Sequence, residues 1–441
     1  MNITDMKVLK FLMIVLVFML TFGCNQHKQS PKSFKSQDIL NVLNGMTDLM
    51  IHDISNPPLA SRFFAYACIA GYEVVSQHDK DLPKLNKILN KYPALQKPDS
   101  IEESSYQLSA LLAMIETAKK MQPSGSLLIQ YENLLLDSCR IKGFSEETID
   151  QSKKYALIVS KHVLAYAKAD RYNRISNYPR YAPDGKPGSW YPTPPAYMAA
   201  VEPYFNTVRP FTLDTCNQFQ PVPPVEFSTK KNSDFYKLTM LNYKDSLSDE
   251  HQQIAAFWDC NPFAVQDRGH LLVGVKKISP GAHWIGITGI ACGNTNKSFE
   301  KSMQVFTVVS VGLMDGFICC WDEKFRSNRL RPETAIRRYI DSSWVPFLQT
   351  PPFPEYLSGH SVISATSATI LSKIFGDNFS YTDTVEVRFG LPPRHFNSFN
   401  DAAKEAAISR FYGGIHFMDA IDNGITQGKK IGESVIQKMK L

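Results

Sequence analysis

The spacing of hydrophobic residues predicts helices along most of this chain. From residue 37 to about 172, apolar residues recur every three or four positions, which places them on one face of a helix. Pro57-Pro58 and Pro123 separate some of these segments, and Ser145 fits the cap of another. The helices predicted for this half span 37–54, 57–77, 104–121, 125–143 and 145–170.

The same spacing returns in the second half, and one segment there is apolar on nearly every side. Helices are predicted over 249–259, 296–325, 361–375, 401–417 and 420–440. The centre of the second of these, 305–321, fits a buried core helix, with a membrane span as the alternative on length. Asp315 interrupts it and needs a partner if buried, so we expect it to pair with Arg331 or Arg410.

Periodicity stops between the two halves. Residues 173–232 are rich in proline and aromatic residues, and a loop of this length usually wraps over a site or straps a surface. The sequence shows no β-rich region and no short-period repeat. We therefore predict an all-α fold of two packed helical bundles, 37–172 and 233–441, joined by this connector.

The first residues have the features of an export signal. Lys7 and Lys10 precede an apolar run from Phe11 to Phe22, which is too short for a comfortable membrane span. The run ends at Gly23-Cys24, as in bacterial lipoprotein signals. We predict a signal peptide over 1–23, a lipid anchor on Cys24 and a polar tether over 24–36. This places the protein in the cell envelope, on the periplasmic or outer-membrane face; a plain secretory signal or a membrane anchor is the alternative.

Composition restricts the partners of the chain. Its 441 residues carry a net charge of +6, and loss of two lysines and one aspartate with the signal would leave +5, too little and too dispersed to indicate nucleic acid. Hydrophobic residues make up 44%, as in globular proteins. Seven of the eight cysteines follow Cys24 and show no zinc-site spacing, which favours buried thiols with at most a disulfide or two.

Three short clusters in the second half carry the candidate chemistry: WDEKFRSNRLRP (321–332), EYLSGHS (355–361) and ISRFYGGIH (408–416). Lys324, Arg331 and Arg410 supply cations, and arginine forks suit a tetrahedral oxyanion. Ser358 is a plausible N-cap before the apolar run 361–375. The free N–H groups of that helix start, with Gly359 allowing close approach, favour an anion.

Two histidines complete this predicted site in the C-terminal bundle. His360 lies in the first turn of the helix that follows Ser358, and His416 follows a Gly-Gly pair that lets the chain turn inward. Any single cluster is usually just a helix start. All three in order indicate a pocket where imidazoles and cations surround one oxyanion.

The three clusters together resemble the signature of the type 2 phosphatidic acid phosphatase and vanadium-dependent haloperoxidase superfamily. The matching residues are Lys324, Arg331-Pro332, Ser358-Gly359-His360, Ser409-Arg410 and His416. GSWYPTPPAY (188–197), FWDCNP (257–262) and PGAHW (280–284) are similar to the bacterial haloperoxidase-like branch, as is Trp321.

The resemblance implies vanadate, or phosphate in its place, as the bound oxyanion. Lys324, Arg331, Ser358, Gly359, His360 and Arg410 would surround it, and His416 would be the metal ligand. Lys324 would polarise hydrogen peroxide, and His360 would act as general acid and base while halide is oxidised to hypohalous acid for a small organic acceptor.

Two other functions stay open on the sequence. With a phosphate ester, His416 would attack phosphorus and form a phosphohistidine, and His360 would protonate the leaving oxygen. A surface lipoprotein that binds an anion without catalysis is the third hypothesis. A homo-oligomer is compatible with each of them.

The sequence departs from the family pattern at two positions. Leu357 replaces a proline before Ser358, and Ala420 replaces an aspartate that follows the final histidine in the phosphatases. We expect Asp419 to share a helix face with His416 and to orient its ring. Other residues have structural interpretations at least as strong as functional ones: His52, His78, His162, His270, His283, Arg329, Arg337, Arg338, His395 and Ser409.

Overall fold

Helices dominate the N-terminal half of the protein. The structure is a computed structural model that describes residues 33–96, 103–267 and 271–441. The predicted signal peptide, Cys24 and most of the tether lie outside these residues. Helices α1 to α5 span Ser36–His52, Pro57–His78, Tyr106–Met121, Leu128–Ile141 and Glu146–Lys168. Ser145 caps α5, since its side chain accepts a hydrogen bond from the Thr148 amide at 3.1 Å.

The C-terminal half contains eight more α-helices within the described residues. Helices α6 to α13 span Asp234–Lys244, Asp249–Phe257, Pro280–Asn294, Phe299–Ser327, Pro332–Tyr339, Gly359–Phe375, Phe399–Tyr412 and Met418–Met439. Two small antiparallel hairpins accompany them. In the first, β1 (Val265–Asp267) pairs with β2 (Leu272–Gly274); in the second, β3 (Tyr381–Asp383) pairs with β4 (Arg394–Phe396). The all-α prediction is confirmed.

Helix α9 is the central element of the core. Its residues from Ser302 to Lys324 are almost all buried, and α2 packs along it. It is long and apolar enough to cross a membrane, but 94% of its most hydrophobic stretch is buried inside the protein. One hydrophobic cluster includes side chains from Phe34 to Met439. The two halves therefore share a core around α9.

Asp315 on α9 is fully buried, but its predicted arginine partners were wrong. Its carboxylate accepts hydrogen bonds from the backbone amides of Phe211 and Thr212 at 2.7 and 2.8 Å, and from the Thr212 hydroxyl at 2.6 Å. Burial raises its pKa to about 6 despite these bonds. Neutral donors from the connector satisfy the carboxylate, so no cation is needed.

The connector is a strap along the segments that carry the site. Trp190 N donates to Asn328 O at 2.9 Å, and Leu330 N donates to Gly188 O at 2.9 Å. The indole of Trp321 donates to Val201 O at 3.1 Å. These contacts hold the region before Arg331 against residues 188–201.

Close packing of α13 on α11 fixes the helix start at Ser358. A Cβ added to Gly428 would lie 2.3 Å from the carbonyl oxygen of Val362, so only glycine allows this approach. Gly424 and Gly432 face the same helix one turn away on either side.

Most predicted helices match, with differences at breaks and in short segments. The predicted helix 401–417 ends at Tyr412, because Gly413 and Gly414 turn the chain and Gly414 has φ +72°. Helices α6 and α8 were not predicted. Arg337 and Arg338 were interpreted as a solvated helix face, and they lie on the exposed face of α10. Within the described residues, all seven cysteines are free thiols.

Candidate active site

The structure brings the three predicted clusters together around one buried cavity. Gly359, His360, Arg410 and His416 line it. Lys324, Arg331 and Ser358 lie just behind this wall. All seven predicted site residues therefore converge, although only four face the cavity directly.

His416 is held by one contact on each ring nitrogen. Its Nδ1 lies 2.8 Å from Glu355 Oε1, and its Nε2 lies 3.0 Å from Arg331 Nη1. A carboxylate accepts only, so Nδ1 carries the proton and Nε2 presents its lone pair to the arginine. Burial, followed by the charges of Arg331, Lys324 and Arg410, holds the pKa of His416 well below its usual range. The ring is therefore a neutral imidazole with its unprotonated nitrogen on the cation side.

Glu355, and not Asp419, orients His416, so the predicted partner was wrong. His416 precedes helix α13 and does not share a helical face with Asp419. Asp419 instead forms a paired ion contact with Arg329, at 2.6 and 2.8 Å. Arg329 also donates to Glu355 at 2.7 Å. Glu355 thus fixes the imidazole, and it also accepts from the Phe417 amide at 2.9 Å.

Arg331 and Lys324 are buried cations behind the histidine. Arg331 donates to the carbonyls of Phe353 and Ile415 at 3.0 and 2.9 Å, and burial lowers its pKa to about 10. Lys324 donates to the carbonyls of Pro354 and Glu355 at 3.0 and 3.1 Å and to that of Leu357. Burial lowers the pKa of Lys324 to about 7. Both cations lie 5.1 Å from the centre of the Phe353 ring.

Arg410 and His360 form the opposite side of the cavity. Arg410 donates to the hydroxyl of Ser409 at 3.0 Å and to Ala255 O at 3.3 Å, with Asp259 4.0 Å away. Ser409 is therefore a support for the arginine. Burial, with the charges of Arg410 and His416, holds the pKa of His360 well below its usual range. His360 is thus neutral and able to accept a proton.

Ser358 and Gly359 begin helix α11 as predicted. The Ser358 hydroxyl accepts from the Ser361 amide at 3.3 Å, and the Ser358 amide donates to Ala420 O at 3.1 Å. The amide of Ser358 is therefore engaged, which leaves its hydroxyl proton and the first-turn amides beginning at Gly359 to face a ligand.

The remaining wall of the cavity is largely apolar and comes from several segments. It includes Pro57 from the N-terminal half. The other lining residues are Asp259, Cys260, Asn261, Pro262, Phe263, Pro280, Phe317, Trp321, Gln349, Pro351, Phe353 and Ile415. The FWDCNP and PGAHW segments thus reach the cavity, whereas the GSWYPTPPAY segment supports it from behind.

The other histidines named in the sequence analysis do not line the cavity where the structure describes them. His52 contacts Asp53, His78 stacks on Tyr106, His162 lies 3.1 Å from Pro93 O, and His395 contacts Ser380 and Thr382. His270 lies outside the described residues. His283 is buried in a separate cluster, described below. These contacts agree with structural roles.

Sequence reasoning missed Glu355, although it stands within the second cluster. It is the single charged residue in the run PPFPEYLSGHS (351–361). An acidic residue in so apolar a segment needs a buried partner, and that signal points to the site. The sequence alone gave no means of choosing between Arg329, Lys324 and His416 as its partners.

Among the described residues at the site, two buried polar atoms make no hydrogen bond, namely Arg331 Nη2 and His360 Nε2. An unpaired guanidinium nitrogen beside a neutral imidazole is costly unless a ligand completes it. The arrangement therefore fits an anion that carries several acceptor oxygens.

The chain was compared with known proteins. Residues 304–441 match the family model described as the VCPO second helical-bundle domain. No curated protein matches significantly.

Solved structures resemble almost the whole chain. The structure of the first bacterial vanadium-dependent iodoperoxidase is 43% identical, with a TM-score of 0.88, and covers 93% of this chain and 98% of its own. Holo-type and apo-type bacterial vanadium-dependent chloroperoxidases are 16% and 15% identical, with TM-scores of 0.66 and 0.65. Each match covers 88% of this chain, and the matched parts make up 93% and 94% of the two chloroperoxidase chains. These two matches show a shared fold. The identity and coverage of the first match show that this chain belongs to the vanadium-dependent haloperoxidase family.

Proposed function

We propose that the protein is a vanadate-dependent haloperoxidase that oxidises halide to hypohalous acid with hydrogen peroxide. The observation that carries this proposal is the neutral His416. Its Nε2 lone pair faces the buried guanidinium group of Arg331, which has one unpaired nitrogen. The 43% identity to an iodoperoxidase supports iodide as the halide.

The residues divide into a ligand, its positioning groups and the counter-charges. His416 would hold vanadate through Nε2, and Glu355 would keep the proton on Nδ1. Arg331, Arg410 and Lys324 would offset the negative charge of the oxyanion, together with the α11 amides from Gly359 and the Ser358 hydroxyl. Arg331 Nη1 now donates to Nε2 and would turn to an oxyanion oxygen.

Proton handling falls to His360. Bound vanadate supplies a Lewis-acid centre that activates hydrogen peroxide without a change of oxidation state. Oxidation of halide by hydrogen peroxide to hypohalous acid and water consumes one proton. His360 Nε2 is buried, unpaired among the described residues and unprotonated, so its lone pair is available to take up and return a proton at the cavity. The apolar wall limits water around these groups.

One preparation can separate this function from hydrolysis of phosphate esters. One part of the protein is loaded with vanadate and assayed for oxidation of iodide, bromide and chloride. The other part is kept free of vanadate and assayed for release of phosphate from a phosphate ester. We expect iodide oxidation that requires vanadate. Ester hydrolysis alone would favour the phosphatase, and neither activity would favour an anion-binding protein. His416→Ala should abolish turnover, and a variant that kept full turnover would refute its role as ligand.

We also propose that the protein is exported and anchored by lipid on Cys24. The support is the sequence alone, namely the charged start, the apolar run and Gly23-Cys24. Metabolic labelling with palmitate should mark the wild type and not Cys24→Ala. An unlabelled wild type with an intact N-terminus would refute the anchor. Light scattering on purified protein would show whether it forms a homo-oligomer.

A further inference from the structure

A second buried cluster of metal-ligand type adjoins the cavity, and one of its members, Cys260, also lines it. It consists of Cys260, which follows α7, His283 in the first turn of α8, and Glu386 just after β3. All three side chains are buried. Their residue types are the thiol, imidazole and carboxylate that bind zinc in proteins.

The distances among the three ligand atoms fit one tetrahedral ion. Cys260 Sγ lies 3.5 Å from His283 Nδ1 and 3.7 Å from Glu386 Oε1, and Nδ1 lies 3.1 Å from Oε1. Bond lengths for zinc to sulfur, nitrogen and oxygen in a tetrahedron predict edges of about 3.3–3.6 Å. The ligand atoms need move by only about 0.2 Å to meet them.

The second ring nitrogen of His283 contacts a carboxylate, as is usual for histidines that bind a metal. His283 Nε2 lies 2.8 Å from Asp383 Oδ2, and the other oxygen of Asp383 accepts from the Val385 amide at 2.9 Å. A carboxylate on one nitrogen directs the lone pair of the other at the ion. Trp258 stacks on the ring at 4.5 Å and fixes its plane. This carboxylate is an observation independent of the three ligand atoms.

We propose that Cys260, His283 and Glu386 bind one zinc-class divalent ion, with Asp383 as the positioning carboxylate. None of these four residues is assigned to vanadate, and the proposal does not depend on the proposed function.

The test compares metal uptake by three proteins without vanadate. Wild type, Cys260→Ser and the control Cys139→Ser are stripped with chelator and dialysed against Zn²⁺ or Co²⁺, and bound metal is measured by mass spectrometry. Cys139 is also a buried free thiol, but it lies on α4 in the other half of the chain. Circular dichroism confirms that each variant is folded.

We expect about one ion per chain in wild type and the control, and little or none in Cys260→Ser. The cobalt form should show a thiolate-to-metal charge-transfer band that only Cys260→Ser loses. Wild type that takes up no metal, or a band that survives in Cys260→Ser, would overturn the proposal. Should Cys260→Ser not fold, Glu386→Gln takes its place, with uptake equal to wild type as the refuting result.

Discussion

Replacing Glu355 with glutamine tests how this protein keeps His416 in its binding form. Glu355 accepts from His416 at 2.8 Å, from the Phe417 amide at 2.9 Å and from Arg329 at 2.7 Å. The amide of Glu355→Gln has nearly the same shape but no charge. It must also aim a donor at either the imidazole or Arg329. The variant therefore weakens both the tautomer of His416 and the buried ion pair.

Two magnitudes follow from these contacts. Breaking a buried ion pair costs about 3–5 kcal/mol, and the lower end applies here because Arg329 keeps its paired contact with Asp419. Loss of the carboxylate behind a metal-bound histidine lowers metal affinity by about 10–100-fold. That corresponds to about 1.4–2.7 kcal/mol of binding free energy.

Asp419→Asn is the matched control. Asp419 contacts the same Arg329 and is not bonded to His416, so its loss should lower stability without changing the histidine. Unfolding by denaturant measures the stability of each variant. Calorimetric titration of each apoprotein with vanadate measures its affinity for the anion. We expect both variants to be less stable and only Glu355→Gln to bind vanadate weakly. Equal loss of affinity in both variants, or normal affinity in Glu355→Gln, would refute the positioning role.

Three further predictions concern charge, packing and the connector. Lys324, with its pKa lowered to about 7, is charged below pH 7 and loses its proton above it. Affinity of vanadate-free protein for sulfate should therefore fall by up to about tenfold per pH unit above 7, and a profile that Lys324→Met leaves unchanged would contradict this. Gly428→Ala should lower the free energy of unfolding by about 1–3 kcal/mol, because its Cβ meets a backbone oxygen at 2.3 Å. The control Gly293→Ala, with open space around it, should gain about 0.5–1 kcal/mol, and equal melting temperatures would refute the packing argument. Thr212→Val removes one donor to Asp315 and should cost about 1–3 kcal/mol in thermal unfolding, whereas no loss would mean that the connector is not anchored there.

The sequence predicted which residues would converge, because each type has a narrow physical use. Two histidines, three cations and a glycine at a helix start satisfy one another only around an oxyanion. The resemblance of the three clusters, in order, to a known family signature therefore placed Arg331 and His416 together. Helical periodicity likewise predicted α9, since a helix that is apolar on all sides must be buried.

Partners that depend on the path of the chain could not be predicted from the sequence. The local rule that residues three apart share a helix face assigned Asp419 to His416, but the Gly413-Gly414 turn and the late start of α13 removed the helix that the rule requires. Asp315 was assigned to an arginine for want of any other donor in sequence. Its donors are main-chain amides of the connector, which carry no side-chain signal.

The shared core around α9 has a consequence for any attempt at a minimal enzyme. Every residue assigned to the oxyanion lies after position 320, so a fragment of the second half would contain the full chemistry. Yet Thr307 and Ser310 on α9 bond to Cys68 on α2 at 3.1 and 3.3 Å, and Pro57 closes one side of the cavity. Without α2, that fragment would expose the apolar flank of its central helix to water. The first half of the chain, though it supplies no reactive group, is thus as indispensable to a working catalyst as the histidines are.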